Sequence, residues 1–295
     1  MKTYKDESLL HIDHFKEIKK VISIPDGFQE IRETGNIFED DKKYWIATLV
    51  RNERDSNGDK IFNIGYWTLD DFKFQGILNL PEEAEDGHIK RCTDGLLHIA
   101  YENKSLEKQS WIDTNHDNFK TKWAVSHAVC ETIDGKFRKL PDERGIMPYG
   151  KYMAIYSPIL NDDGVIQFYD SRHIPNTCFE DIHYSYLKND KQVLTEPMIT
   201  AKSLGLDGTG LGGDYFKIND KYVMDCVGLK DAWFEFMMVS DRLDGGWKRI
   251  GKRLKNQDGK LVFPRIFYSD GWKALISTNP KCTEWNIRGN TSLPS

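Results

Sequence analysis

The sequence predicts an all-β protein, a five-bladed β-propeller of four-stranded antiparallel blades, and three observations carry that expectation. Long helical periodicity is almost missing. Short β-rich runs rich in aromatic and branched residues are separated by Gly, Asp and Asn turns. The same strand–turn–strand unit recurs five times, with starts near residues 33, 86, 143, 210 and 262. A period of about fifty residues filled with antiparallel strands is the mark of a propeller, whereas a β-sandwich, the alternative, would show less self-similarity.

The five hairpins read "NIFEDDKKYWIATLV", "IKRCTDGLLHIAYE", "GIMPYGKYMAIYSP", "DYFKINDKYVMDCV" and "RIFYSDGWKALIST". Further strands follow them, most clearly in "NIGYWTLDDFKF" and "FMMVSDRLDGGWKRI". Residues 30–295 form the propeller domain, and residues 1–29 an N-terminal segment or strap. Within the strap, Leu10, Phe15, Ile18 and Ile22 could share a helix face or line a strand. Trp67, Trp247 and Trp285 are expected to pack between blades, while Trp111, Trp233 and Trp272 are candidate platforms for sugar rings.

The 295 residues suffice to bury a sizeable core, and 39% are hydrophobic. A net charge of −5 with mixed signs argues against a nucleic-acid partner. No run approaches the roughly 18 apolar residues of a membrane helix, and the charged start does not read as a signal peptide. Five scattered cysteines without a C-x-x-C pair suggest reduced thiols and a cytoplasmic address. The histidines show no metal-ligand spacing, so neither a metal nor another cofactor is expected. The run "GLDGTGLGG" leads into a strand instead of a helix and fails as a phosphate loop.

In a propeller the innermost strands run alike about one axis, so residues at their starts converge. Those starts hold Glu33 in "IRETGNIF", Glu85 and Asp86 in "AEDGHIKR", Asp142 and Glu143 in "DERGIMPY", Asp214 in "GTGLGGDYF" and Arg265 in "KLVFPRIF". Carboxylates sharing a pocket suit glycoside cleavage, in which one acid must be protonated and another ionised. Neighbouring carboxylates and arginines can separate those two states. The plain alternative is that acids simply occupy exposed turns before strands.

The arrangement resembles the five-bladed propeller glycosidases, the group of glycoside hydrolase families 43, 62, 32 and 68. The resemblance spans residues 30–290 and lies in blade rhythm more than in identical motifs. It implies catalytic roles for Glu33 as base, Asp86 as tuner of its neighbours and Glu143 as general acid. Blade one here has Glu where the family has Asp, and the usual Pro is missing at all three places. Arg32, His88, Arg91, Arg144, Asp214 and Arg265 would contact substrate, and the arginines suggest an anionic sugar or sugar nucleotide. The expected partner is thus a carbohydrate or sugar-containing small molecule. The alternatives are glycosyl transfer, or a non-catalytic propeller that binds a glycan or a protein.

Overall fold

The computed structural model describes residues 3–5, 16–19, 22–104, 123–141, 153–173, 180–189, 191–194, 196–255, 262–269, 272–278 and 285–289. Two short strands, β1 (Thr3–Tyr4) and β2 (Lys16–Lys19), precede the sheets. The first sheet holds β3 (Phe28–Glu39), β4 (Lys43–Arg54), β5 (Lys60–Thr68) and β6 (Phe74–Ile77), paired in chain order. The second holds β7 (Glu85–Arg91), β8 (Leu97–Lys104), β9 (Trp123–Cys130) and β10 (Arg138–Lys139).

The third holds β11 (Met153–Leu160), β12 (Ile166–His173), β13 (Glu180–Lys188) and β14 (Lys191–Leu194), with β15 (Ile199–Thr200) also paired to β13. The fourth runs β16 (Gly208–Ile218), β17 (Lys221–Lys230), β18 (Ala232–Ser240) and β19 (Lys248–Lys255), and β1 lies parallel to β16. The last runs β20 (Val262–Ser269), β21 (Trp272–Thr278) and β22 (Trp285–Gly289), with β2 as its outer strand.

The result is an all-β propeller of four-stranded antiparallel sheets. Four sheets have side-chain packing described wholly or in part, against the five blades predicted; the sheet of β20–β22 is described through its backbone pairing. The first strands of the sheets lie side by side: β3 against β7, β7 against β11, β11 against β16, β16 against β20, and β20 against β3.

Strand β4 shows why the sequence reads as unbroken apolar runs. Successive side chains of a strand point to opposite faces, and Tyr44 to Val50 are all buried. Trp45, Ala47 and Leu49 join a core with Ile22, Ile31, Trp67 and Phe72. Tyr44 and Ile46 face the other way, into a core shared with Ile89, Ile99 and Tyr101 of the second sheet. Both faces are thus inside the protein. Trp67 is buried with its ring centroid 4.7 Å from that of Trp45, and its described neighbours belong to its own sheet and to the segment that precedes it rather than to a second blade. Trp247 covers the core between the third and fourth sheets and donates to the Leu243 carbonyl at 3.1 Å. The side chains of Trp111, Trp233, Trp272 and Trp285 lie outside the described residues.

The third hairpin differs from expectation. Met153–Leu160, the second half of the predicted hairpin, is itself the inner strand and pairs with β12. The intervening turn is closed by Asn161, whose Oδ1 accepts from the amides of Asp163 and Val165 at 2.9 Å each. Gly164 completes it at φ 69°. Glu143 and Arg144 lie outside the described residues. The strap corresponds in part to β2; its other residues, apart from β1 and residues 22–29, are not described.

Candidate functional site at the inner-strand bulges

Every inner strand loses register with its neighbour at least once: between Ile31 and Thr34 among other places on β3, Glu85 and His88, Tyr156 and Ile159, Leu211 and Tyr215, and Val262 and Arg265. A bulge inserts an unpaired residue and re-aims its side chain. Arg32 and Glu33 fall within the first bulge, Asp86 and Gly87 within the second, Ser157 and Pro158 within the third, and Asp214 within the fourth. Arg265 closes the fifth, but its side chain lies outside the described residues.

Four carboxyl groups meet here: Glu33 and Asp86 from the first two bulges, and Glu85 and Glu102 from the paired residues beside the second. Glu33 is hydrogen-bonded to Glu85, and the Arg32 Nε lies 3.5 Å from an oxygen of each. Glu85 and Glu102 are directly opposite on β7 and β8 and are only 5% and 2% exposed. Burial, then the charges of Glu85 and Asp86, push the Glu33 carboxyl well above the ordinary range, outweighing Arg32. Burial also raises Glu85, against the pull of Arg32. Glu102 rises well above the ordinary range through burial first, then through Asp86, Glu85 and Glu33. Like charges confined in a dry pocket cannot all ionise, so Glu33 and Glu85 titrate as a pair that holds a proton.

Asp86 has the left-handed φ of 49°, and its amide donates to Thr48 Oγ1 at 3.0 Å. Its Oδ2 accepts from the Ser157 hydroxyl at 2.5 Å, while the Ser157 amide donates to Glu102 Oε1 at 3.1 Å. A small cleft lies beside Asp86. Thr34, Asn36, His88, Ser157, Leu211 and Gly213 contribute to its lining.

His88, 2% exposed, accepts the Leu160 amide on Nδ1 at 3.3 Å. Its Nε2 lies 3.7 Å from Asp214 Oδ1, and Nε2 and Thr34 Oγ1 are both buried without a hydrogen-bond partner among the described residues. Burial by itself would raise Asp214, but His88, Lys90 and the Tyr215 amide outweigh it and hold the carboxyl below its ordinary value.

Arg91 is not brought into this group. It sits at the hairpin end of β7, bound to Asp40 and to the carbonyls of Gly95 and Glu131, both at 2.8 Å. Sequence reasoning did not select Glu102 or Ser157. Glu102 faces Glu85 across the hairpin and could have been found by pairing the strands. Ser157 was hidden by the displaced third hairpin.

No family model matches the chain, and no curated protein sequence matches it. Solved structures do resemble it. An endo-arabinase from Bacteroides thetaiotaomicron superposes with a TM-score of 0.55 at 12% identity, covering 93% of this chain and 98% of that one. A glycosyl hydrolase from Bacteroides ovatus gives 0.54 at 13% identity, covering 97% and 92%. An α-L-arabinofuranosidase of family 43 from Clostridium thermocellum gives 0.51 at 14%, covering 85% and 83%. At these identities the likeness establishes the fold, a propeller of the kind found in these glycoside hydrolases.

Proposed function

We propose that this chain is a five-bladed propeller glycoside hydrolase whose chemistry lies at the seam between its first two blades. The ring of contacts among β3, β7, β11, β16 and β20 supports the count of five. The observation that carries the activity is the hydrogen-bonded Glu33–Glu85 pair beside Asp86, with Glu33 held well above the ordinary carboxylate range. A carboxyl that burial and its neighbours hold protonated, set beside further carboxyl groups, fits the acid's part in glycoside cleavage.

Glu33, 13% exposed at its side chain, gives its proton to the glycosidic oxygen of the departing sugar. Asp86 activates water or attacks the anomeric carbon. This gives Glu33 the acid role that the family resemblance implied for Glu143, in place of the base role. His88, Thr34 and Asp214 receive sugar hydroxyls. The described arginines do not favour an anionic sugar: Arg32 lies between Glu33 and Glu85, and Arg91 is bound to Asp40. The free thiols of Cys92, Cys130 and Cys226 support a cytoplasmic address.

The test is turnover of a panel of aryl glycosides and oligosaccharides by the wild type and Asp86→Asn. Turnover is expected in the wild type, with a fall of at least ~10²-fold in the variant. Glycan binding by both without turnover by either would contradict hydrolysis and leave a sugar-binding propeller.

A further inference from the structure

The second and third inner strands repeat one unusual conformation. Asp86 has φ 49° and Ser157 has φ 48°, each the first residue inside its bulge. A non-glycine residue there is strained, on the order of 1–3 kcal/mol. Ser157 is more constrained still because Pro158 follows it, and a residue before proline favours extended backbone. Glycine would take this φ freely. What serine adds is its hydroxyl, and that hydroxyl meets Asp86 Oδ2 at 2.5 Å. The Ser157 amide meanwhile holds Glu102 Oε1 at 3.1 Å, so one residue ties down two acids of the neighbouring sheet.

We infer that Ser157 is a positioning residue, which reaches across the seam from the third sheet to fix the Asp86 carboxylate beside the cleft. The hydroxyl donates its proton to Oδ2 of Asp86 and so sets the direction in which the carboxylate points. Bond directionality makes that contact an orienting one, since a hydroxyl–carboxylate hydrogen bond weakens steeply as it bends. Its catalytic consequence rests on the hydrolase reading above, whereas the orientation of Asp86 does not.

Ser157→Gly tests this without adding strain: it relieves the φ, keeps the amide that serves Glu102 and removes only the hydroxyl. Crystal structures of the wild type and Ser157→Gly compare the Asp86 side chain directly. The carboxylate is expected to leave its wild-type position in the variant while the melting temperature is unchanged or higher. In kinetics on a hydrolysed aryl glycoside, kcat is expected to fall about 10-fold or more with KM little changed, the pattern of misplaced reacting groups. Ser157→Thr, which restores a hydroxyl, is expected to recover part of that loss, and Ser157→Ala to behave as the glycine variant does.

An Asp86 carboxylate that stays in place in Ser157→Gly, or a kcat equal to wild type, would overturn the inference. If the wild type cleaves no glycoside, the hydrolase reading falls and the crystallographic comparison alone decides the role of Ser157.

Discussion

Glu102 is the most buried of the four acids at the seam, and its environment has a thermodynamic consequence. Its folded-state carboxyl sits well above the ordinary value of 4.5. The native protein therefore keeps a proton that the unfolded chain has released. Stability is full below the ordinary carboxylate value and is lost as pH rises through the raised one, by up to about 1.4 kcal/mol per pH unit for each such group. Glu102→Gln removes the ionisation yet keeps an oxygen for the Ser157 amide. It is expected to melt several degrees higher than the wild type at pH 7–8 and at the same temperature near pH 4. A gap that does not change with pH would contradict this. Glu33 and Asp86 were legible as candidates because each precedes an apolar run at the start of a hairpin. Ser157 was not, because the Pro–Gly turn signal in "MPYGK" made "KYMAIYSP" read as the second strand of a hairpin and not as the inner one. Asparagine and glycine in "ILNDDGV" marked the true turn.

At the scale of the element, inner strands are held to one another by side chains rather than by sheet pairing. Asn36 on β3 donates to the Ile89 carbonyl at 2.8 Å and accepts the Ile89 amide at 2.9 Å. His88 on β7 accepts the Leu160 amide, and from the second strand of the third sheet Asp170 accepts the Leu211 amide of β16 at 2.9 Å with each oxygen. Strands can approach that closely because glycine stands between them: a Cβ on Gly35 would come within 2.5 Å of the Gly87 carbonyl oxygen. Asn36→Ala deprives both buried polar groups of Ile89 of their side-chain partner, at a cost of about 2–3 kcal/mol. Urea denaturation measures it, and a change below ~0.5 kcal/mol would show that the seam does not depend on this clamp. None of these pairings was visible in sequence. Asn36 and Ile89 are 53 positions apart, and periodicity within a strand says nothing of which amide a neighbouring blade leaves free.

For the whole molecule, the sequence gives away its plan through the repeat. Its copies recur because each sheet must bury two faces, and that requirement returns as the same apolar run and polar turn. Closure was less legible, since "KEIK" carries no strand signal of its own. Its backbone pairs with β22, at Lys16–Gly289 and Glu17–Arg288, which joins the N-terminal strand to the last sheet. A shortened chain beginning at residue 22 would expose that sheet edge, and it is expected to melt several degrees lower than the full chain. Equal melting temperatures would show that the strap does not contribute to stability.

The seam between the first two sheets is where repeat, bulge and buried charge meet, and its central claim is that Glu33 supplies a proton to the leaving sugar. The most direct measurement compares kcat/KM of the wild type and Glu33→Gln across aryl glycosides whose leaving groups span a range of acidity. If Glu33 is the proton donor, the variant loses ~10²-fold or more on poor leaving groups and little on strongly activated phenols, which depart without help. An equal loss on every substrate, or none, would contradict that role and return the seam acids to a structural one.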